Sequence, residues 1–202
     1  MPAWLKNVLY IVMLICCVII GMRVYLEMDP GETDTGLATG AADNSSIPLT
    51  LAEFSLNDVW GEPHSIREWS GRPLLINFWA TWCAPCRREM PLLQALHESQ
   101  DELQVLGIAI DRQPDVQTYL AEAGITYPSL VGEQDAMAVS ELFGLSGLGL
   151  PFTVLVSSDG TLLSVFIGEF SAAELETLVS VSRQVERGEL DSSAARQQLA
   201  GL

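Results

Sequence analysis

The run Leu74-Leu75-Ile76-Asn77-Phe78-Trp79, followed closely by Cys83-Ala84-Pro85-Cys86, constrains this chain more than any other feature. Hydrophobicity that is nearly continuous rather than alternating predicts a strand covered on both faces, as in a parallel sheet. Arg87 to Gln100 reads as a helix, so the two thiols sit at a strand-to-helix junction. Unpaired N–H groups and the positive end of the helix dipole there stabilise a thiolate on the first sulfur. The second sulfur, one turn on, is close enough to close a disulfide with it. One nucleophile, one resolving thiol and a low-pKa leaving group are what thiol–disulfide exchange requires. The pattern predicts a redox enzyme whose redox group is the Cys83–Cys86 pair itself, with no organic cofactor and no metal.

Other uses of the motif fit less well. A zinc site needs a second ligand pair, but the remaining cysteines, Cys16 and Cys17, lie in an apolar N-terminal run, and His64 and His97 are far apart. Covalent haem attachment needs histidine after the second cysteine, where Arg87 stands. A structural bridge closing so short a loop would constrain little of the unfolded chain.

The formal net charge is −16. Lys6 and Arg23 are the only charges in the first 26 residues, which leaves eight basic against 26 acidic residues for the remainder. Such a surface repels phosphate backbones, so nucleic acid is not an expected partner. Trp4 to Leu26 is interrupted only by Lys6, Asn7 and Arg23. As a helix it would cover roughly 34 Å, against a hydrocarbon core of about 30 Å. The rival is a cleaved signal peptide, but Met22 is followed by Arg-Val-Tyr-Leu-Glu and no small-x-small site is near. The expectation is an uncleaved single-pass anchor with Cys16 and Cys17 among its apolar residues. Because the whole catalytic domain follows a short anchor, it is expected on the periplasmic, extracytoplasmic side of an inner membrane.

Residues 27–47 are rich in Gly, Asp, Thr, Ser and Ala and read as a flexible acidic tether. The folded domain is expected over 48–183. A strand is predicted at Leu49–Leu56, with a short partner at His64–Ile66 after the turn at Trp60-Gly61-Glu62-Pro63. The dithiol helix contains Pro91, which should kink it. Further strands are predicted at Leu103–Ile110, Tyr127–Val131, Phe152–Ser157 and Thr161–Ile167, the last two joined by the turn signal Ser158-Asp159-Gly160. Helices are predicted at Val116–Ala123 and Asp135–Phe143, and from Ser171 to Arg183, where Glu174 completes a capping box. Residues 184–202 read as a weakly helical tail without a role. Alternating strands and helices with a terminal hairpin give an α/β fold with a mixed sheet.

Residues 48–183 resemble the membrane-anchored thioredoxin-fold proteins of the TlpA/ResA/CcmG type. The resemblance is carried by Asn77-Phe78-Trp79-Ala80-Thr81-Trp82-Cys83-Ala84-Pro85-Cys86-Arg87-Arg88-Glu89-Met90-Pro91, by the approach from Phe143-Gly144-Leu145 to Pro151, and by the hairpin at Asp159-Gly160. The segment between Asp111 and Phe143 is similar to the insert separating that family from plain thioredoxin. The resemblance implies a thioredoxin-like mixed central sheet flanked by helices, preceded here by a transmembrane helix. It also implies an extracytoplasmic dithiol protein that reduces protein disulfides, often in cytochrome c maturation, and is re-reduced by a membrane electron donor.

By the same resemblance, Cys83 is the attacking thiol, Cys86 the resolving thiol, and Glu89 a carboxylate that relays a proton to Cys86. Pro151 is a cis-proline whose preceding residue, Leu150, offers backbone to the substrate. Trp82 and Pro85 complete the expected substrate contacts, while Trp79 is expected in the core. The structural reading of Glu89 is an acid at a helix start, interacting with the dipole or with Arg87 and Arg88. Against that reading, Glu89 is expected to tune the thiols, so that Glu89→Gln changes the pH profile of exchange while leaving stability nearly unchanged. Asn77 stands where thioredoxin itself has a buried acid, which shifts proton transfer to Glu89. Phe152 follows Pro151 where cytochrome c maturation members commonly have an acid. Ala84-Pro85 lacks the histidine of strongly oxidising periplasmic enzymes, which favours a reductant. Two rivals share the fold. A peroxiredoxin-like peroxidase would need Pro-x-x-x-Thr-x-x-Cys, whereas Thr81 lies two residues before Cys83 with no such proline. A non-catalytic adaptor would keep its disulfide permanently closed.

Overall fold

The computed structural model describes residues 13, 15–17, 22, 49–99, 102–145 and 149–202. Strand β3 (Leu74–Trp79) is the one the continuous run predicts, and all six of its side chains are buried. Around it lie β1 (Ser55–Asp58), β2 (Pro63–Ser65), β4 (Gln104–Ile110), β5 (Ser129–Gly132), β6 (Phe152–Val156) and β7 (Leu162–Ile167). The helices are α1 (Ala84–Ser99), α2 (Gln113–Ala123), α3 (Gln134–Glu141), α4 (Ala172–Glu186) and α5 (Ser192–Leu199), with one 3₁₀ turn at Ile66–Trp69. The seven strands form one mixed sheet in the order β2-β1-β5-β4-β3-β6-β7. β3, β4 and β5 run parallel, and β6 and β7 are antiparallel to their neighbours.

Apolar side chains fill both faces. On one face Leu75, Trp79, Val105 and Ala109 pack with Met90 and Leu93 of α1, Val116 of α2, and Leu178 and Val181. On the other, Ile76, Phe78, Leu106 and Ile108 meet Ala136 and Val139 of α3, together with Phe143 and Phe152. Phe78 stacks on Phe152 with ring centroids 4.2 Å apart and meets the edge of Phe143 at 5.6 Å. Truncating such a ring to alanine costs about 3–5 kcal/mol. Gly107 in β4 marks a close approach. A β-carbon there would lie 2.9 Å from Ser129 Oγ, 3.1 Å from Tyr127 Cε2 and 3.2 Å from Trp79 Nε1.

Two local expectations are corrected. The single strand expected at Leu49–Leu56 is divided. Thr50 bridges Thr161 beside β7, Leu51 and Phe54 then pack against the second core, and β1 pairs with β2 and β5 toward the opposite edge. The apolar residues of this stretch therefore serve a crossing rather than one strand. The chain after residue 183 is not a tail: α4 continues to Glu186, and α5 buries Ala195 and Leu199 in the first core. Asp191 fixes the start of α5 by accepting from the backbone N–H groups of Ser193 (2.9 Å) and Ala194 (3.0 Å). Helix α1 passes through Pro91 without being divided.

Among the described residues no helix is long and apolar enough to cross a membrane. The anchor expected at 1–26 and the tether at 27–47 lie outside the described residues, apart from residues 13, 15–17 and 22, which are helical.

Candidate active site

Cys83 ends the turn after β3 and immediately precedes α1, where its carbonyl accepts from Arg87 N–H (3.2 Å). It thus occupies the capping position of the helix. Pro85 brings no N–H, and the next backbone donor, Cys86 N–H, points at Cys83 Sγ from 3.2 Å. The sulfur stands where a serine or aspartate oxygen would cap an ordinary helix. A thiolate in that position gains a hydrogen bond and the favourable end of the dipole. Cys83 and Cys86 are joined as a disulfide, with Cα atoms 5.3 Å apart. The first is 5% exposed and the second fully buried. Trp82, beside them, is 57% exposed, whereas Trp79 lies in the core.

A carboxylate on the neighbouring strand end fastens this junction. Asp111, at the end of β4, accepts from both the backbone N–H (3.0 Å) and the hydroxyl (2.5 Å) of Thr81. The threonine hydroxyl is thereby committed to a carboxylate on the neighbouring strand. The Leu150–Pro151 peptide is cis. Phe152 pairs with Phe78 in the β3–β6 ladder, which places buried Pro151 level with the end of β3, where the dithiol turn begins. Leu150 is half-buried and packs against both cores.

Glu89 differs from the helix-surface acid of the structural reading. It is only 1% exposed, because its face of α1 lies on the sheet. Asn77 Nδ2 donates to its Oε1 (2.7 Å) and also reaches Thr153 Oγ1 (3.0 Å). The backbone N–H of Phe170 donates to Oε2 (3.3 Å). Burial pushes its carboxyl up to about 7, against the pull of the Asn77 and Phe170 hydrogen bonds, and the nearby charge of Glu169 adds to the rise. Arg88, the expected partner, instead engages Glu169. Glu89 lies three residues beyond Cys86 on α1, a spacing that puts both on one helix face. A buried carboxyl titrating near neutrality can exchange a proton with a buried thiol on the same face.

The structure thus brings Cys83, Cys86 and Glu89 onto one helix start and sets Pro151 at the same end of the sheet. Residues that sequence reasoning missed are Asp111, Thr153 and the loop Gly168–Phe170. Asp111 was visible only as a strand end. The other contacts join positions 76 and 81 residues apart, with no local signature.

The AhpC/TSA family profile matches residues 49–165. The thioredoxin-like protein YneN of Bacillus subtilis is 30% identical over 129 residues, covering 61% of this chain and 73% of that protein. Thiol-disulfide oxidoreductase ResA of Geobacillus thermodenitrificans is 26% identical, covering 65% and 75%. Among solved structures, a thiol:disulfide interchange protein of the thioredoxin family from Chlorobium tepidum superimposes with a TM-score of 0.56 at 28% identity, covering 67% of this chain and 96% of that one. With the fold, the paired cysteines and these likenesses in agreement, the chain belongs to the AhpC/TSA family and is a thioredoxin-like thiol–disulfide oxidoreductase.

Proposed function

We propose that the protein reduces protein disulfides outside the cytoplasm while held to the membrane by its first 26 residues, as in cytochrome c maturation. The helix-capping position of the Cys83 sulfur and the full burial of Cys86 carry this reading, with a buried carboxyl one turn beyond Cys86. In the reduced protein the Cys83 thiolate attacks a substrate disulfide. A mixed disulfide forms and one substrate sulfur leaves as a thiolate. Glu89 takes the proton of Cys86, whose sulfur then attacks Cys83 Sγ. The Cys83–Cys86 bond closes, and the second substrate sulfur leaves carrying the remaining electrons. Two electrons have passed to the substrate, and a membrane donor restores the dithiol. Trp82, Pro85, Leu150 and Pro151 border the substrate's path, with the Leu150 backbone offered to an extended segment.

The test uses the full chain. Cys86→Ala should accumulate mixed disulfides with its protein substrates, and identifying them decides whether apocytochrome c is among them. Cys83→Ala should trap none. Equal alkylation rates of the two reduced thiols below pH 7 would overturn the assignment. The anchor fails if the native N-terminus begins after residue 26 or the protein partitions with the soluble fraction.

A further inference from the structure

Three consecutive residues between β7 and α4 each hold a different part of the site. Gly168 N–H donates to the Pro151 carbonyl (2.8 Å). The carboxylate of Glu169 receives Arg88 as a fork: Nε lies 3.0 Å from both oxygens and Nη2 lies 2.5 Å from Oε2. Phe170 N–H donates to Glu89 Oε2 (3.3 Å). Arg88 and Glu89 are neighbours on α1, and Glu169 and Phe170 are neighbours on the loop. Two contacts therefore run side by side, one charged and exposed, the other buried. Gly168 has a φ of +104°, a conformation open to glycine, and there the chain leaves β7.

Exposed ion pairs add little to stability, so the fork is poorly explained as a staple. A bidentate guanidinium–carboxylate pair does fix geometry. We propose that Gly168–Phe170 is a positioning strap coupling the charge on Glu89 to the placement of the Leu150–Pro151 peptide, with Arg88–Glu169 as its clasp. This rests on the disulfide-reducing role given above. An ionised Glu89 accepts a charge-assisted bond from Phe170, roughly twice as strong as a neutral one. The strap is then held down and, through the Pro151 carbonyl, keeps the Leu150–Pro151 peptide in place for the substrate. When Glu89 gains the proton of Cys86, that bond weakens and the hold on Pro151 slackens as the reduced substrate leaves.

The charged and titratable groups around Glu89 give the test its sign. Arg87, Arg88 and Cys86 lie on α1 with Cys83 just before it, Glu169 lies on the strap, and the Tyr127 hydroxyl lies across from α1, kept protonated by burial. Removing Glu169's charge leaves Arg88 unopposed, which favours ionised Glu89. Removing Arg88's charge leaves Glu169 unopposed, which disfavours it.

The experiment compares full-length wild type, Glu169→Gln, Arg88→Gln and the swap Arg88→Glu with Glu169→Arg. Glu89 is titrated by carboxyl carbon NMR, and kcat and KM are measured on a synthetic peptide disulfide. The Glu89 midpoint should fall by about half a pH unit in Glu169→Gln and rise by about as much in Arg88→Gln. Both should raise KM about threefold with a smaller change in kcat, and the swap should return KM to within about twofold of wild type. Midpoints that stay fixed or move in the same direction overturn the strap, as does an unchanged KM in both single variants. Wild type that fails to turn over the peptide would instead remove the disulfide-reducing role, while the opposed midpoints still decide the clasp.

Discussion

Helices α1 and α5 begin alike and end up with different tasks. At α5 the carboxylate of Asp191 takes the Ser193 hydroxyl and two backbone N–H groups, and those bonds hold its pKa below the ordinary carboxylate range. At α1 the Cys83 sulfur takes one, from Cys86, and Pro85 offers none. A carboxylate at a helix start saturates the local field and locks the turn. Sulfur leaves that field underused until it becomes a thiolate, so stabilisation appears when the chemistry needs it. The acids near the two starts diverge as well. Asp191 is exposed and pushed down, whereas Glu89 is buried and pushed up to about 7. Capping for stability and capping for reactivity use the same backbone donors and differ in the atom placed before them.

The largest expected effect comes from removing the sulfur. Cys83→Ala should lower turnover of a peptide disulfide by at least about 10³-fold, since Cys86, the other thiol of the site, is fully buried. A residual rate within tenfold of wild type would erase the distinction between the two helix starts.

Glu89 gives the next effect, through linkage. Its folded pKa of about 7 exceeds an unfolded value near 4.5, so between those pH values the folded state binds more protons. Glu89's own contribution to stability is therefore greatest below about pH 4.5 and falls as pH rises to about 7, by about 3 kcal/mol. Glu89→Gln should flatten that slope in urea unfolding across pH 4.5–8, and it should flatten the pH–rate curve over the same range. Parallel unfolding curves for the two proteins would return Glu89 to an ordinary helix acid. The expectation that this substitution is thermodynamically silent presumed a surface site, and burial removes that ground.

At α5 the effects should be structural alone. Leu199→Ala empties a buried position and should cost about 2 kcal/mol, with turnover per folded molecule unchanged. Asp191→Ala should lower Tm by a few degrees, again without changing turnover. A change in exchange rate from either variant would show that α5 reaches the site, and the comparison would have to be redrawn.

What was legible in the sequence is what local pattern encodes. The nearly continuous apolar run at 74–79 announced a covered parallel strand, the two cysteines announced the chemistry, and Ser171 with Glu174 announced the start of α4, where both reciprocal cap bonds are present. Glu89 was nameable through the resemblance, but its burial was not. Arg87 and Arg88 beside it suggest a solvent face, and the groups that enclose it arrive from Asn77 and Phe170. Helix α5 was obscure for a different reason. Ser192-Ser193-Ala194-Ala195-Arg196-Gln197-Gln198-Leu199 carries little apolar surface, and Ala195 and Leu199 are buried through what they meet rather than by pattern.

The site's dependence on distant partners bears on the making of the protein. Cys83 and Cys86 emerge during synthesis well before Phe170, which lies 81 residues beyond the carboxylate it contacts. At about 5–20 residues per second, the nascent chain carries its dithiol for on the order of ten seconds before the strap exists. Neither the burial of Cys86 nor the environment of Glu89 is in place during that interval. The thiols are then ordinary cysteines, open to oxidation by whatever is nearby. Selective reactivity is acquired only when the last third of the chain closes over the first helix.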